Sequence, residues 1–260
     1  MASKTESERA PVTLCLSSGK GGVGKTSLTV NLAVALAGLS QKVLIVDGDL
    51  GLANVDILLG LQVQTTIRDI LDSDSDPMAA VVYDEPNLGV LPASSGVPEM
   101  VNLGPEDQTL LKEVLSSIAR HFDYVIMDTA AGIGQSVLWF NSFVEHNIVV
   151  LSPDPTSLTD AYALIKVLSR DYKRQHFHLV LNLVTDEQES QQTYIGLAKV
   201  ASKFLQLQLN YLGSVPRDPA VYKAIHHQTP FVRQSPGSKA AKAVQELAKR
   251  VIALGATGSP

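Results

Sequence analysis

The run Ser18-Gly19-Lys20-Gly21-Gly22-Val23-Gly24-Lys25-Thr26-Ser27 holds the pattern G-x-x-x-x-G-K-T from Gly19 to Thr26. Gly21, Gly22 and Gly24 let the backbone bend closely round an anion. Successive N–H groups, with the N-terminus of a following helix, then face phosphate oxygens. In such a loop Lys25 reaches the β- and γ-phosphates, and the Thr26 hydroxyl is a ligand for Mg²⁺. Val23 and Ser27 complete the stretch expected to touch the nucleotide. The strand-like run VTLCLS from Val12 precedes the loop and a helical pattern starts at Lys25, a context that a chance glycine-rich turn lacks. Lys20, a second lysine inside the loop, reads on its own as a solvated charge.

Three aspartates stand where such a loop needs acids. Asp47 and Asp49 follow the strand-like run KVLIVD, at the carboxyl edge where open α/β sheets bind ligands. Carboxylates there can hold a metal's water shell and orient an attacking water; the alternative is a helix cap or a surface acid. Asp128 ends DYVIMD and is followed by Gly132 and Gly134. That placement suits a carboxylate that meets Mg²⁺ through water beside a mobile switch, or one that caps the next helix. Asn182 ends the run HLVLN, and Pro216, Arg217 and Asp218 follow the last strand-like run. An asparagine at a strand end is otherwise a common turn residue.

The elements that position these residues alternate. Strand-like runs begin at Val12, Lys42, Leu88, Asp123, Asn147, His178 and Tyr211, and their near-continuous apolar character predicts strands buried on both faces. Helical patterns run from Lys25 towards Leu39, Asp107 to Arg120, Ser157 to Ser169, Gln191 to Phe204 and Ser238 to Leu254. The alternation predicts an α/β fold: a three-layer, doubly wound, mostly parallel sheet. The stretch SDSDPMAAVVYDEPN after Asp72 reads as a loop-rich insertion. One domain is expected over 11–255, between disordered tails at 1–10 and 256–260.

The chain has 260 residues, 45% hydrophobic and 18% charged, as an ordinary soluble globule does. A formal net charge of -5 argues against a broad nucleic-acid surface. The single cysteine, Cys15, cannot form an internal disulfide or a CxxC metal site and reads as a buried strand residue. The N-terminus lacks the apolar stretch of a signal peptide. No run approaches the roughly 18 apolar residues of a membrane span, so the cytoplasm is the expected compartment.

The segment KGGVGKT resembles the deviant Walker A motif of the MinD/ParA superfamily of P-loop ATPases. The resemblance implies ATP/ADP and Mg²⁺ as cofactors, slow hydrolysis and an ATP-dependent homodimer in which Lys20 reaches the partner's nucleotide. It implies that Asp49 positions the attacking water, with Asp47 and Asn54 in the same switch, and that DTAAGIG from Asp128 is the second switch. Thr26, Asp49 and Asp128 become the metal's ligands. Asn182, Pro216, Arg217 and Asp218 become contacts of the adenine, and Asp154 an acid near the dimer seam.

Within the superfamily, iron–sulfur carriers and nitrogenase-type reductases need cysteines that this chain lacks. Bacterial tyrosine kinases end in a tyrosine cluster, where this chain ends GATGSP. DGDLGLANVDILLGL, PTSLTDAYALIK and ASSGVPEMVNL resemble the flagellar number regulator branch, FlhG or FleN; the likeness covers Val12 to Leu254. It implies a switch that sets flagellar number, placement and assembly. The implied partners are an FlhF-type GTPase, flagellar switch (C-ring) proteins or a transcriptional activator of flagellar genes, at the cell pole or the inner face of the membrane. The rivals are a MinD/ParA-type regulator of division or partitioning, and a nucleotide-bound scaffold without turnover. In one respect the chain departs from the branch. Its last helix has no aromatic residue, and Val244, Leu247, Val251 and Leu254 are expected to pack on the fold, so membrane contact is expected to be weak or through a partner. His226 and His227 adjoin on a predicted helix without a third metal ligand, and Trp139 and Phe140 are expected in the core.

Overall fold

A computed structural model describes residues 10–49, 54–66, 69–70, 76–93 and 104–257. Its strands are β1 (Val12–Ser18), β2 (Val43–Gly48), β3 (Val82–Glu85), β4 (Leu88–Leu91), β5 (Tyr124–Ala131), β6 (His146–Leu151), β7 (Phe177–Val184) and β8 (Leu209–Pro216). They form one eight-stranded sheet in the order β3-β4-β2-β5-β1-β6-β7-β8. Every pairing is parallel except β3 with β4. β1 lies between β5 and β6, and the chain leaves it through the phosphate loop towards β2 on one side, while β6 lies on the other. That reversal opens a crevice at the carboxyl ends of the strands.

The sheet is buried on both faces, which explains its unbroken apolar runs. Tyr124 and Ile126 of β5 join one core cluster and Val125 and Met127 the other. One face carries α1 (Lys25–Gly38) and α9 (Lys239–Thr257), with the short α2 (Val55–Leu59), α7 (Pro219–His226) and α8 (Phe231–Gln234). The other carries α3 (Pro105–Ala119), α4 (Gln135–Phe143), α5 (Pro155–Asp171) and α6 (Glu187–Leu205). Helix α1 is buried almost all round because it lies between the sheet and α9. Fixing α1 in this way fixes the loop that feeds it.

Three expectations need correction. The stretch read as a loop-rich insertion contains a 3₁₀ turn, Pro77–Ala80, and the edge strand β3, whose four residues are too few and too polar to register as a strand pattern. The segment after the second switch, absent from the helical patterns, forms helix α4; there Phe140 is buried in the core and Trp139 packs beside it, both as expected. The last helix continues through Ala256 and Thr257, into the segment expected as a tail. Val244, Leu247 and Val251 are buried on the fold, as expected, and Leu254 packs against them. Residues 50–53 of the first switch, residues 94–103 of ASSGVPEMVNL and residues 1–9 and 258–260 of the expected tails lie outside the described residues. No helix among the described residues is long and apolar enough to cross a membrane.

Candidate functional site

The phosphate loop joins β1 to α1. Gly22 and Gly24 adopt φ of 77° and 81°, the left-handed region that glycine enters without strain. Gly24 is also the N-cap of α1, where no side chain caps the helix and the first turn holds no acid. The orphan N–H groups of that turn, with the positive end of the helix dipole, are therefore left for an anion. Gly19 answers to packing: a Cβ there would lie 2.2 Å from the backbone carbonyl of Asp160 in α5, so no side chain fits. A Cβ on Gly24 would lie 2.5 Å from Nδ2 of Asn182. That amide donates to the carbonyl of Val23 at 2.8 Å, which ties the end of β7 to the loop.

Beneath the loop Lys25 donates to Oδ1 of Asp128 at 2.9 Å, with the two side chains only 7% and 1% exposed. The Thr29 hydroxyl donates to the same oxygen at 2.7 Å. Thr26 lies beside the ammonium, its Oγ1 3.3 Å from Nζ of Lys25. Thr29 was not singled out from the sequence; its position one helical turn after Lys25, on the same face of α1, was the available signal.

Asp47 stands opposite Asp128 in the β2–β5 register. Its Oδ1 accepts from the N–H of Asp49 at 3.1 Å, and its Oδ2 from Asn54 at 3.1 Å and Val55 at 3.2 Å. Asp47 thus holds the backbone of the first switch, with Asp49 half-buried at its near end. Burial, and then the neighbouring Asp128 carboxylate, push the Asp47 carboxyl up to about 7, despite those N–H donors. The folded chain therefore holds this proton more tightly than the unfolded chain. The stabilisation is full below pH ~4 and is lost as pH rises towards 7. The nucleotide-free protein should lose several degrees of melting temperature between pH 5 and pH 8 that Asp47→Asn does not lose. Parallel melting curves for the two proteins across that range would refute this origin.

Among the described residues no cluster of three His, Cys, Asp or Glu groups could hold a metal. Mg²⁺ is usually bound by one or two carboxylates together with phosphate oxygens and water, a set that Asp128 and the Thr26 hydroxyl, both beside the Lys25 ammonium, can join. The loop's free N–H groups, Lys25 and the Thr26 hydroxyl likewise suit a Mg-nucleotide.

Lys20 points away from this centre. It donates to Oδ1 of Asp154 at 2.9 Å and to the Thr156 hydroxyl at 2.5 Å. Asp154 is the N-cap of α5 and accepts from the N–H of Ser157 at 2.9 Å. The hydroxyls of Ser152 and Thr156, then Lys20, hold its carboxyl well below the usual range. Lys20 and Asp154 are 40% and 42% exposed, so water screens the pair and releasing Lys20 costs little.

Within the second switch Gly132, at φ 96°, donates its N–H to the carbonyl of Ser18 at 2.8 Å. Helix α4 is then anchored by Asn141, fully buried, whose Oδ1 accepts from Ser17 at 3.2 Å and Asn147 at 2.9 Å. Asn141 and Asn147 carry no motif; only the fold shows that they link the loop's strand to the switch helix.

A cavity of about 440 Å³ extends from Gly22, Gly24 and Ser27 to Asn182, Pro216, Arg217 and Asp218, so the structure gathers the residues expected round the base. A second, of about 360 Å³, adjoins it between Lys20 and Asp154. Asp218 caps α7 at the N–H of Ala220 at 2.9 Å and also accepts from Ala240 in α9 at 3.1 Å. Those N–H bonds lower its carboxyl. Arg217 donates from Nε to the carbonyl of Leu183 at 2.9 Å. His226 and His227 turn apart, one against the ring of Tyr222 and the other bonded to Gln234.

Comparison with known proteins fits this geometry. The family model described as "ParA: NUBPL iron-transfer P-loop NTPase" matches residues 10–252. The chain is 40% identical to the Antiactivator FleN of Pseudomonas aeruginosa, over 92% of this chain and 85% of that protein. It is 32% identical to the Flagellum site-determining protein YlxH of Helicobacter pylori, over 95% and 83% of the two chains. Its fold matches the septum site-determining protein MinD of Pyrococcus horikoshii complexed with Mg-ADP, at TM-score 0.77 and 28% identity, over 95% and 98% of the two chains. The iron transfer in the family's description finds no ligand in Cys15, which is buried in β1 with its thiol pushed up by that burial.

Proposed function

The chain belongs to the ParA family of P-loop ATPases, in its MinD-like part, and on that premise we propose that it is an ATP-dependent dimerising switch that regulates flagellar number, placement and assembly. The observation that carries this reading is the 40% identity to FleN across 92% of the chain.

The residues divide the work. The amides from Gly21 to Thr26, with Lys25, neutralise the β- and γ-phosphates. Thr26, Asp49 and Asp128 would hold Mg²⁺ directly or through its waters, and the ion would supply further neutralisation of phosphate charge. Asp49 orients the attacking water, and Asp47 fixes the backbone that carries it. When two copies meet face to face, Lys20 leaves Asp154 for the partner's phosphates. Turnover is slow and stimulated by a partner, so the dimer surface carries the signal. Such partners are an FlhF-type GTPase, flagellar switch proteins or a flagellar transcriptional activator, met in the cytoplasm or at the cell pole. Residue 11 to the end of α9 serves as a single ATPase domain.

A second reading, as a regulator of division, is favoured by the match to MinD of Bacillus subtilis at 30% identity over 92% of this chain. Deletion of the gene in its flagellated host, with flagella counted by electron microscopy, separates the two. An altered flagellar number or position, restored by the wild-type gene, is expected. Normal flagella with misplaced septa would overturn the flagellar reading in favour of the second.

A further inference from the structure

We propose that Tyr222 covers the outer face of the nucleotide's base, and that the site's preference for a nucleotide over a bare phosphate chain rests on this ring. The inference rests on the nucleotide reading above and assigns the base a recognition surface of its own.

The larger cavity has two unlike ends. One is the loop, rich in N–H groups; the other is apolar, formed by Leu28, Val215, Tyr222, Ile225 and Phe231. A nucleotide has the same division, an anionic chain at one end and a flat aromatic ring at the other. Leu28, Val215 and Phe231 are each 3% exposed and form a fixed floor. Tyr222 and Ile225 stand at the mouth on α7, 69% and 44% exposed, an apolar lip that no other described element covers. Tyr222 is the aromatic residue there that both lines the cavity and presents a free face. Its ring makes a T-shaped contact with that of His226, with centroids 4.4 Å apart.

The polar groups near the base region are already employed. Asn182 donates to Val23 and accepts from Leu183, Asp218 caps α7 and α9, and Nε of Arg217 bonds to Leu183. Their bonds to backbone leave less of each for the edges of a base. Recognition therefore falls on the faces of the ring, where stacking on an aromatic side chain is effective.

The test compares the affinities of ADP and inorganic tripolyphosphate by calorimetry in Mg²⁺, for wild type, Tyr222→Ala and Tyr222→Phe. ADP is the probe because it lacks the γ-phosphate on which dimerisation is proposed to depend. We expect Tyr222→Ala to bind ADP about tenfold more weakly and tripolyphosphate as wild type does, and Tyr222→Phe to bind both normally. Unchanged ADP affinity in Tyr222→Ala would overturn the inference. So would an equal loss for both ligands, which would mean a disturbed loop, or a loss in Tyr222→Phe, which would assign the effect to the hydroxyl. If the wild-type protein bound neither ligand, the nucleotide reading itself would fail. Because the side chain is largely in water, melting temperatures should be unchanged in both variants.

Discussion

Lys25→Ala is expected to abolish measurable ATP binding and, with it, turnover. The loop otherwise offers a polyanion only backbone dipoles, and Lys25 is the cation placed to meet the β- and γ-phosphates. The variant should also lose stability without nucleotide, for a separate reason. Asp128 is 1% exposed and its ammonium partner lies 2.9 Å away. Removing one member of a buried ion pair typically costs ~3–5 kcal/mol because the other charge stays buried. Thr29 still donates to that carboxylate, so the loss should fall at the lower end of the range. Asp128→Asn added to Lys25→Ala should therefore restore much of the lost melting temperature and none of the ATP binding. Calorimetric titration with ATP and thermal melts of the single and double variants measure the two effects apart. Near-normal ATP affinity in Lys25→Ala would remove the phosphate loop from the mechanism. Loss of stability without recovery in the double variant would mean that the pair matters for more than its charge.

Much of this site could be read before the fold, because its residues are constrained by chemistry along a short stretch of chain. A phosphate loop needs glycines, a lysine and a hydroxyl at fixed offsets between a strand and a helix, and the structure places all of them there. The acids at Asp47 and Asp128 likewise stood out, since a carboxylate at the end of an apolar strand needs a reason. What escaped were residues whose role depends on a neighbour far along the chain. Thr29 meets Asp128 across 99 positions and Ser17 meets Asn141 across 124, with no local pattern to announce either bond. Gly19 opens the phosphate-loop pattern, and only the fold shows that its lack of a side chain also admits the backbone of α5. Asp218 lines the expected base cavity, and only the fold shows that its carboxylate also joins α7 to α9. Strand β3 was missed because four residues at a sheet edge, half of them turned to water, need no apolar run.

Asp49→Ala and Lys20→Ala should separate hydrolysis from dimerisation. Asp49 stands one residue beyond β2, anchored through its N–H to Asp47, where a carboxylate can orient water at the γ-phosphate. Nucleotide affinity rests on the loop amides, Lys25 and Thr26, none of which depends on the Asp49 side chain. Its loss should slow hydrolysis a hundredfold or so, as removing a catalytic base commonly does, and leave binding intact. ATP-bound dimers would then accumulate. Lys20 presents the converse case. Its present partners, Asp154 and Thr156, lie on the rim of the site and hold it in a water-screened pair. A partner's phosphates would offer a stronger, charge-assisted contact, made twice in a symmetric sandwich. Lys20→Ala should therefore bind ATP and remain monomeric. Size-exclusion chromatography with ATP and Mg²⁺ reads the outcome directly, with dimers expected for the Asp49 variant and monomers for the Lys20 variant. Equal dimerisation of both would mean that Lys20 stays with Asp154 throughout, as an ordinary cap contact of α5, and that some other contact joins the two subunits.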